Sequence, residues 1–193
     1  MEYVAACLIG YLLGSIPVSL IVARRHGVDL RTTGDGNPGA WNALEQLGAR
    51  RAWPAFAGDA LKAALAAAAG LALGGVWAGY AAVGAAMIGH AFPAFAGLRG
   101  GKSVMAFVGG GLVLAPLAGL IALAACLIVT AAARSFAIGA RVGVFGFPLA
   151  QLLTDPVERV AATGALMTLI GLLFVLRGRG ARASSARGAA PTT

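Results

Sequence analysis

Long apolar stretches, each ended by a glycine, a proline or a charged group, follow one another along most of this 193-residue chain. That succession constrains the fold more than any single motif. A hydrocarbon core about 30 Å thick is crossed by roughly 17–25 helical residues at about 1.5 Å each. The first stretch runs from Tyr3 to Ala23 and stops at Arg24-Arg25. It is too long for the apolar core of a cleaved signal peptide, and no basic segment precedes it, so it reads as a span. Six further stretches lie at 53–74, 77–97, 103–115, 116–133, 136–153 and 157–176. The fourth is short and glycine-rich, with Gly109-Gly110-Gly111, and Pro116 divides it from the fifth.

Composition agrees: 59% of residues are hydrophobic, 11% are charged and the mean hydropathy is +0.84. A soluble domain is about 45–50% apolar and about 25% charged. A soluble enzyme, a disordered chain and a disulfide-stapled domain are thereby excluded. The net charge of +8 does not imply nucleic acid, because the basic residues are dispersed between apolar runs. With seven spans and the N-terminus outside, Arg24, Arg25, Arg31, Arg50, Arg51, Arg99, Lys102, Arg134 and Arg177 share one side. Glu2, Asp155, Glu158 and Arg159 share the other. This asymmetry is the positive-inside pattern. The expected fold is all-α: a polytopic membrane protein of about seven transmembrane helices, N-terminus outside and C-terminus cytoplasmic. Residues 1–176 are expected to form one domain and 177–193 a basic, disordered cytoplasmic tail. Cys7 and Cys126 lie inside spans as small hydrophobes, and no metal site or cofactor is expected.

Two polar loops on the inner side stand out. The first is Asp29-Leu-Arg31-Thr-Thr-Gly34-Asp-Gly36-Asn37-Pro38-Gly39-Ala-Trp41-Asn42. Asn37-Pro38 reads as a helix N-cap followed by proline at the first helical position, and Gly48 as the stop. Trp41, Leu44 and Leu47 share one face of that short helix, and the glycines let backbone N–H groups converge on an anion. A tight glycine turn before a surface helix explains the same residues. The second loop is Gly89-His90-Ala-Phe92-Pro93-Ala-Phe95-Ala-Gly97-Leu-Arg99-Gly100-Gly101-Lys102-Ser103. Glycines, two cations and the Ser103 hydroxyl before a helix are what binding a phosphate requires. A nucleotide P-loop is excluded, since Ala96 stands where its first glycine belongs. Within the second span Asp59 and Lys62 lie three residues apart on one face, a site candidate at membrane depth or a self-neutralised pair. His90, near the inner end of the third span, is either a functional or a packing histidine.

Together these stretches resemble the bacterial membrane glycerol-3-phosphate acyltransferases that use acyl phosphate as donor. The matching residues are Gly14-Ser15-Ile16-Pro17, Asp29-Leu-Arg31, Gly36-Asn37-Pro38-Gly39-Ala40 with Asn42, Asp59-Ala-Leu-Lys62, Gly89-His90-Ala-Phe92-Pro93 and Gly100-Gly101-Lys102, over about residues 8–140. The resemblance implies seven helices in the inner membrane of a bacterium. It also implies acyl transfer from acyl phosphate to the sn-1 hydroxyl of glycerol 3-phosphate, giving lysophosphatidic acid for phospholipid synthesis. By matching position it implies Lys102, Arg31, His90 and Asn42 as catalytic. Gly36, Asn37, Gly39, Arg99, Gly100, Gly101, Ser103, Asp59, Lys62 and Arg134 would then bind substrate. The partners would be the two substrates and the bilayer, with no nucleic acid. The chain departs from the family at Asp35 (serine in the family), at Trp41 (threonine) and at Ser103 (glycine). Ala137 and Ala140 replace two serines, and Arg177-Gly-Arg179-Gly lacks the family's terminal histidine and asparagine. These departures leave the alternative of a divergent relative with another acceptor or a non-catalytic binding role, while the helix count and the Asp59/Lys62 pair leave that of a small transporter.

Overall fold

The computed structural model describes the backbone of residues 1–188 and the side chains of residues 1–177. Among them there is helix and no strand: α1 (Glu2–Gly14), α2 (Val18–Arg24), α3 (Ala40–Leu47), α4 (Ala49–Ala91), α5 (Val104–Leu114), α6 (Pro116–Ala133), α7 (Phe136–Gln151) and α8 (Val157–Gly188), with a single 3-10 turn at Ala94–Ala96. Four segments are long and apolar enough to cross a membrane: 2–24, 49–96, 116–133 and 157–177. The helices α5 and α7 are apolar but shorter. The expected boundary at Pro116 is observed, with Ala115 separating α5 from α6. Helix α8 continues to Gly188, into the stretch expected to be a disordered tail; the last five residues of that tail lie outside the described residues.

Helix α4 is two limbs. Gly74 and Gly75 leave helical geometry, and Gly75 takes φ +74°. The chain doubles back there, because Gly70 packs on the Ala78–Gly79 backbone and Asp59 stands 3.6 Å from His90. This is the break expected between 53–74 and 77–97.

Small residues allow the helices to approach. A Cβ on Gly10 would lie 2.2 Å from the Ala82 carbonyl, and one on Gly14 would lie 2.1 Å from that of Ala86. Helix α1 and the second limb of α4 therefore run parallel in backbone contact, the small-xxx-small packing that replaces hydrophobic burial within lipid. Gly109 does the same against Ala60, and Gly110 against Val83, so the short α5 sits between both limbs of α4. Gly139 and Gly143 seat α7 against Cys126 of α6. Large apolar side chains such as Leu120, Ile128, Phe145 and Leu149 point outward, as a lipid-facing surface requires.

The far end of the bundle is closed by polar groups. Gln151 donates to the Tyr80 hydroxyl at 3.0 Å, and Asp155 pairs with Arg159 at 2.6 Å. The Arg159 guanidinium also takes the carbonyl of Leu114 at the end of α5. The opposite end gathers the two glycine-rich loops.

Candidate active site

The loop after α2 is built around a buried amide. Asn42 is fully buried, and its Nδ2 donates to the carbonyls of Leu30 (3.1 Å), Thr33 (2.9 Å) and Asn37 (3.1 Å). Its donors are spent inside the protein, so Asn42 shapes the loop and offers none to a ligand, unlike the catalytic role implied above. Asn37 does not cap α3. Its carbonyl also accepts the Gly39 N–H at 2.8 Å, a tight turn that delays the helix until Ala40, with Gly39 as N-cap. The helix stops at Gly48 as expected, with φ +75°. Trp41 lies outside, stacked on Phe136 of α7 with ring centroids 5.8 Å apart, while Leu44 and Leu47 pack inward.

The second loop folds back onto the end of α4. Gly100 donates its N–H to the Ala91 carbonyl (3.0 Å) and Gly101 to that of His90 (3.1 Å). These N–H groups cap α4 and are not free to cradle a phosphate, which corrects the expectation drawn from the glycines. Glycine is required for proximity: a Cβ on Gly100 would lie 1.9 Å from the His90 carbonyl, and one on Gly101 would lie 2.3 Å from His90 Nε2. Ser103 is also turned inward. It caps α5 at φ +63°, is 1% exposed, and gives its hydroxyl to the Met87 carbonyl at 2.6 Å. Its hydroxyl thus tethers α5 to α4.

Beneath the second loop lies a buried ionic cluster. Asp59 Oδ2 accepts from Ser19 Oγ at 2.6 Å, and Asp59 Oδ1 faces Lys62 Nζ at 2.9 Å. Lys62 also donates to the Ile16 carbonyl at 2.9 Å, where the chain breaks between α1 and α2. His90 Nδ1 lies 3.6 Å from Asp59 Oδ1, longer than a hydrogen bond. The cavity lined by Asp59, Lys62, His90 and the two glycines is about 10 Å³, room for one water and far less than a phosphate needs. Asp59, Lys62 and His90 thus form a floor under the loops, without direct access to a bound substrate in this conformation.

The cations of both loops converge above that floor. Arg31 donates Nη2 to the carbonyls of Ala96 and Arg99, the latter at 3.1 Å, and so locks the first loop to the second. Gly39 meets Gly101 on the same seam, and Gly36 lies beside the Arg31 carbonyl. Lys102 Nζ stands 3.1 Å from Asp35 Oδ2 and 5.0 Å from the centre of the Phe174 ring. From α8, Arg177 covers the Phe92 ring at 5.9 Å and directs Nη1 towards the Leu98 carbonyl, 3.5 Å away. Among the described residues Arg31, Arg99 and Arg177 have no acidic partner. Arg177, Phe174 and Ser19 were not among the residues expected at the site. Phe174 and Arg177 are one turn apart in an apolar run, a spacing that could have flagged them. Arg134 sits exposed in the left-handed turn between α6 and α7 and joins none of these described contacts.

Such an arrangement sets several cations, Lys102 alone among them paired with an acid among the described residues, on loops held by buried polar groups, and suits an anionic ligand. The family model described as glycerol-3-phosphate acyltransferase matches residues 4–183, and the chain belongs to that family. It is 43% identical over 167 residues to the glycerol-3-phosphate acyltransferase of Sinorhizobium medicae, covering 86% of this chain and 81% of that one. It is 38% identical over 178 residues to that of Rubrobacter xylanophilus, covering 91% and 87%. The crystal structure of PlsY, an integral membrane glycerol 3-phosphate acyltransferase, in its glycerol 3-phosphate form superposes with a TM-score of 0.77. The identity is 26%, over 100% of this chain and 96% of that chain. The protein is a membrane acyltransferase.

Proposed function

We propose that the protein transfers an acyl chain from acyl phosphate to the sn-1 hydroxyl of glycerol 3-phosphate, giving lysophosphatidic acid and inorganic phosphate. The observation that carries this reading is the seam where Arg31 donates to the carbonyls of Ala96 and Arg99, Lys102 pairs with Asp35 and Arg177 reaches towards the Leu98 carbonyl, which gathers four basic residues where two loops meet the end of α8. Both substrates and the leaving group are phosphates, so the reaction needs several fixed cations close together. The hydroxyl oxygen attacks the acyl carbonyl carbon, the carbon–oxygen bond to phosphate breaks, and the hydroxyl proton leaves with the phosphate. A phosphate leaving group needs no strong acid, so catalysis rests on positioning and on stabilising charge at the tetrahedral intermediate. Lys102, Arg31 and Arg99 supply that charge, and Arg177 adds to it. Gly36, Asn37 and Gly39 shape the acceptor side. Asn42, His90, Asp59, Lys62, Gly100, Gly101 and Ser103 position the loops, and Arg134 adds positive charge at the same end.

The same reading sets the topology. Residues 1–176 form one domain that crosses the inner membrane of a bacterium seven times, N-terminus outside, with both loops and the end of α8 in the cytoplasm. The doubling back of α4 and the burial of α5 between its limbs support this count. Another phosphorylated acceptor is the second reading, favoured by Asp35 beside Lys102. Purified protein incubated with an acyl phosphate and labelled glycerol 3-phosphate should form lysophosphatidate on thin-layer plates, and Lys102→Ala should not. No product from the unmodified protein, with product from another acceptor in a parallel panel, would replace the first reading by the second.

A further inference from the structure

One charge in the site has the sign of its ligands. Asp35 Oδ2 lies 3.1 Å from Lys102 Nζ, while Asp35 Oδ1 accepts the Asn37 N–H at 2.9 Å. The second bond aims the carboxylate, so Asp35 is more than a solvated loop charge. It joins the first loop to the second across 67 positions of sequence. The side chains of Lys102 and Asp35 are 29% and 44% exposed, so the pair can part without disturbing the core. The ammonium it engages is the one a phosphate oxygen would take.

We propose that Asp35 is a specificity-determining residue: its carboxylate holds the anion seat on Lys102, and an incoming phosphate must displace it. The proposal rests on the reading of this seam as a phosphate site. A singly charged anion offers Lys102 no more charge than the tethered carboxylate already does, and it gains nothing by exchange. A phosphate dianion offers twice the charge and can engage the neighbouring guanidinium groups as well. Asp35 therefore lowers the affinity for every anion but rejects monoanions most, a form of selection through a built-in competitor.

Calorimetric titration of the full-length protein in detergent with glycerol 3-phosphate, with and without acetate, tests this. Asp35→Asn keeps a carbonyl acceptor for the Asn37 N–H and removes the charge; Asp35→Ser removes the charge and leaves only the weaker hydroxyl acceptor. Both variants should bind glycerol 3-phosphate about three- to tenfold more tightly, as removal of an exposed ion pair and its repulsion implies. Acetate, without effect on the unmodified protein, should compete in both. Unchanged affinity, or equal competition by acetate in all three proteins, overturns the role of Asp35. Lys102→Ala separates the two levels. If it loses binding while the Asp35 variants gain none, the specificity role alone fails. If it binds as tightly as the unmodified protein, the phosphate site fails and the proposal with it.

Discussion

Asp59 and Lys62 face each other at 2.9 Å one turn apart, both almost fully buried, with Ser19 and the Ile16 carbonyl completing their contacts. Removing one member leaves an uncompensated charge in a dry interior, which costs about 3–5 kcal/mol, whereas removing both is often close to neutral. Lys62→Met should therefore lower the melting temperature in detergent sharply. The double variant Asp59→Leu/Lys62→Met should recover most of the loss, as read by thermal unfolding.

Asn42 predicts a donor-specific effect. Three loop carbonyls depend on its Nδ2, and leaving buried acceptors unmet costs about 1–3 kcal/mol. Asn42→Ala and Asn42→Asp should loosen residues 30–37 alike, because a carboxylate cannot donate. Limited proteolysis of that loop and a rise in KM larger than the fall in kcat are the readouts.

The second loop predicts a contrast between glycines. Gly101→Ala would drive a Cβ into His90 Nε2 at 2.3 Å, and displacing the neighbouring Lys102 by about 1 Å should cost about 100-fold in kcat/KM. Gly97, unlike Gly101, has positive φ, but a Cβ there meets nothing within 4 Å. Gly97→Ala should cost only the left-handed strain of about 1–2 kcal/mol, with turnover close to normal.

Arg31 holds two carbonyls of the other loop with one nitrogen of a planar fork. A lysine keeps the charge and loses the fork. Arg31→Lys should lower kcat/KM at least about tenfold, and the loss should persist at saturating salt, where a purely long-range charge effect would be screened.

Topology is open to labelling. Arg50→Cys should react with a membrane-impermeant maleimide only after permeabilisation, and Glu158→Cys in intact cells. The reverse pattern would invert the proposed orientation.

Much of the fold was legible in the sequence because its signals are local. Apolar run lengths located the helices, Pro116 and Gly48 marked real boundaries, and Asp59–Lys62 had to share a face at that spacing. The assignments that failed depend on partners far along the chain. Whether Ser103 or Gly101 would be free for a ligand was decided by Met87 and His90, which claim them when α4 folds back. Asn37 failed as a cap for a local reason instead: the tight turn in which its carbonyl accepts the Gly39 N–H delays the helix to Ala40. Arg177 carried no local motif at all; it reaches the site only because α8 runs alongside the second limb of α4.

The fold of α4 has a consequence for length. Asp59 stands fifteen residues before Gly74 and His90 fifteen after Gly75, so two equal limbs bring them to the same depth. Deleting one residue from one limb would slide one partner by about 1.5 Å and turn it by roughly 100°, pulling the floor of the site out of alignment. An equal deletion in both limbs would restore their depth yet leave each side chain turned by roughly 100°. The glycine hinge at the opposite end of the bundle acts as the zero mark of a ruler against which the catalytic end is measured.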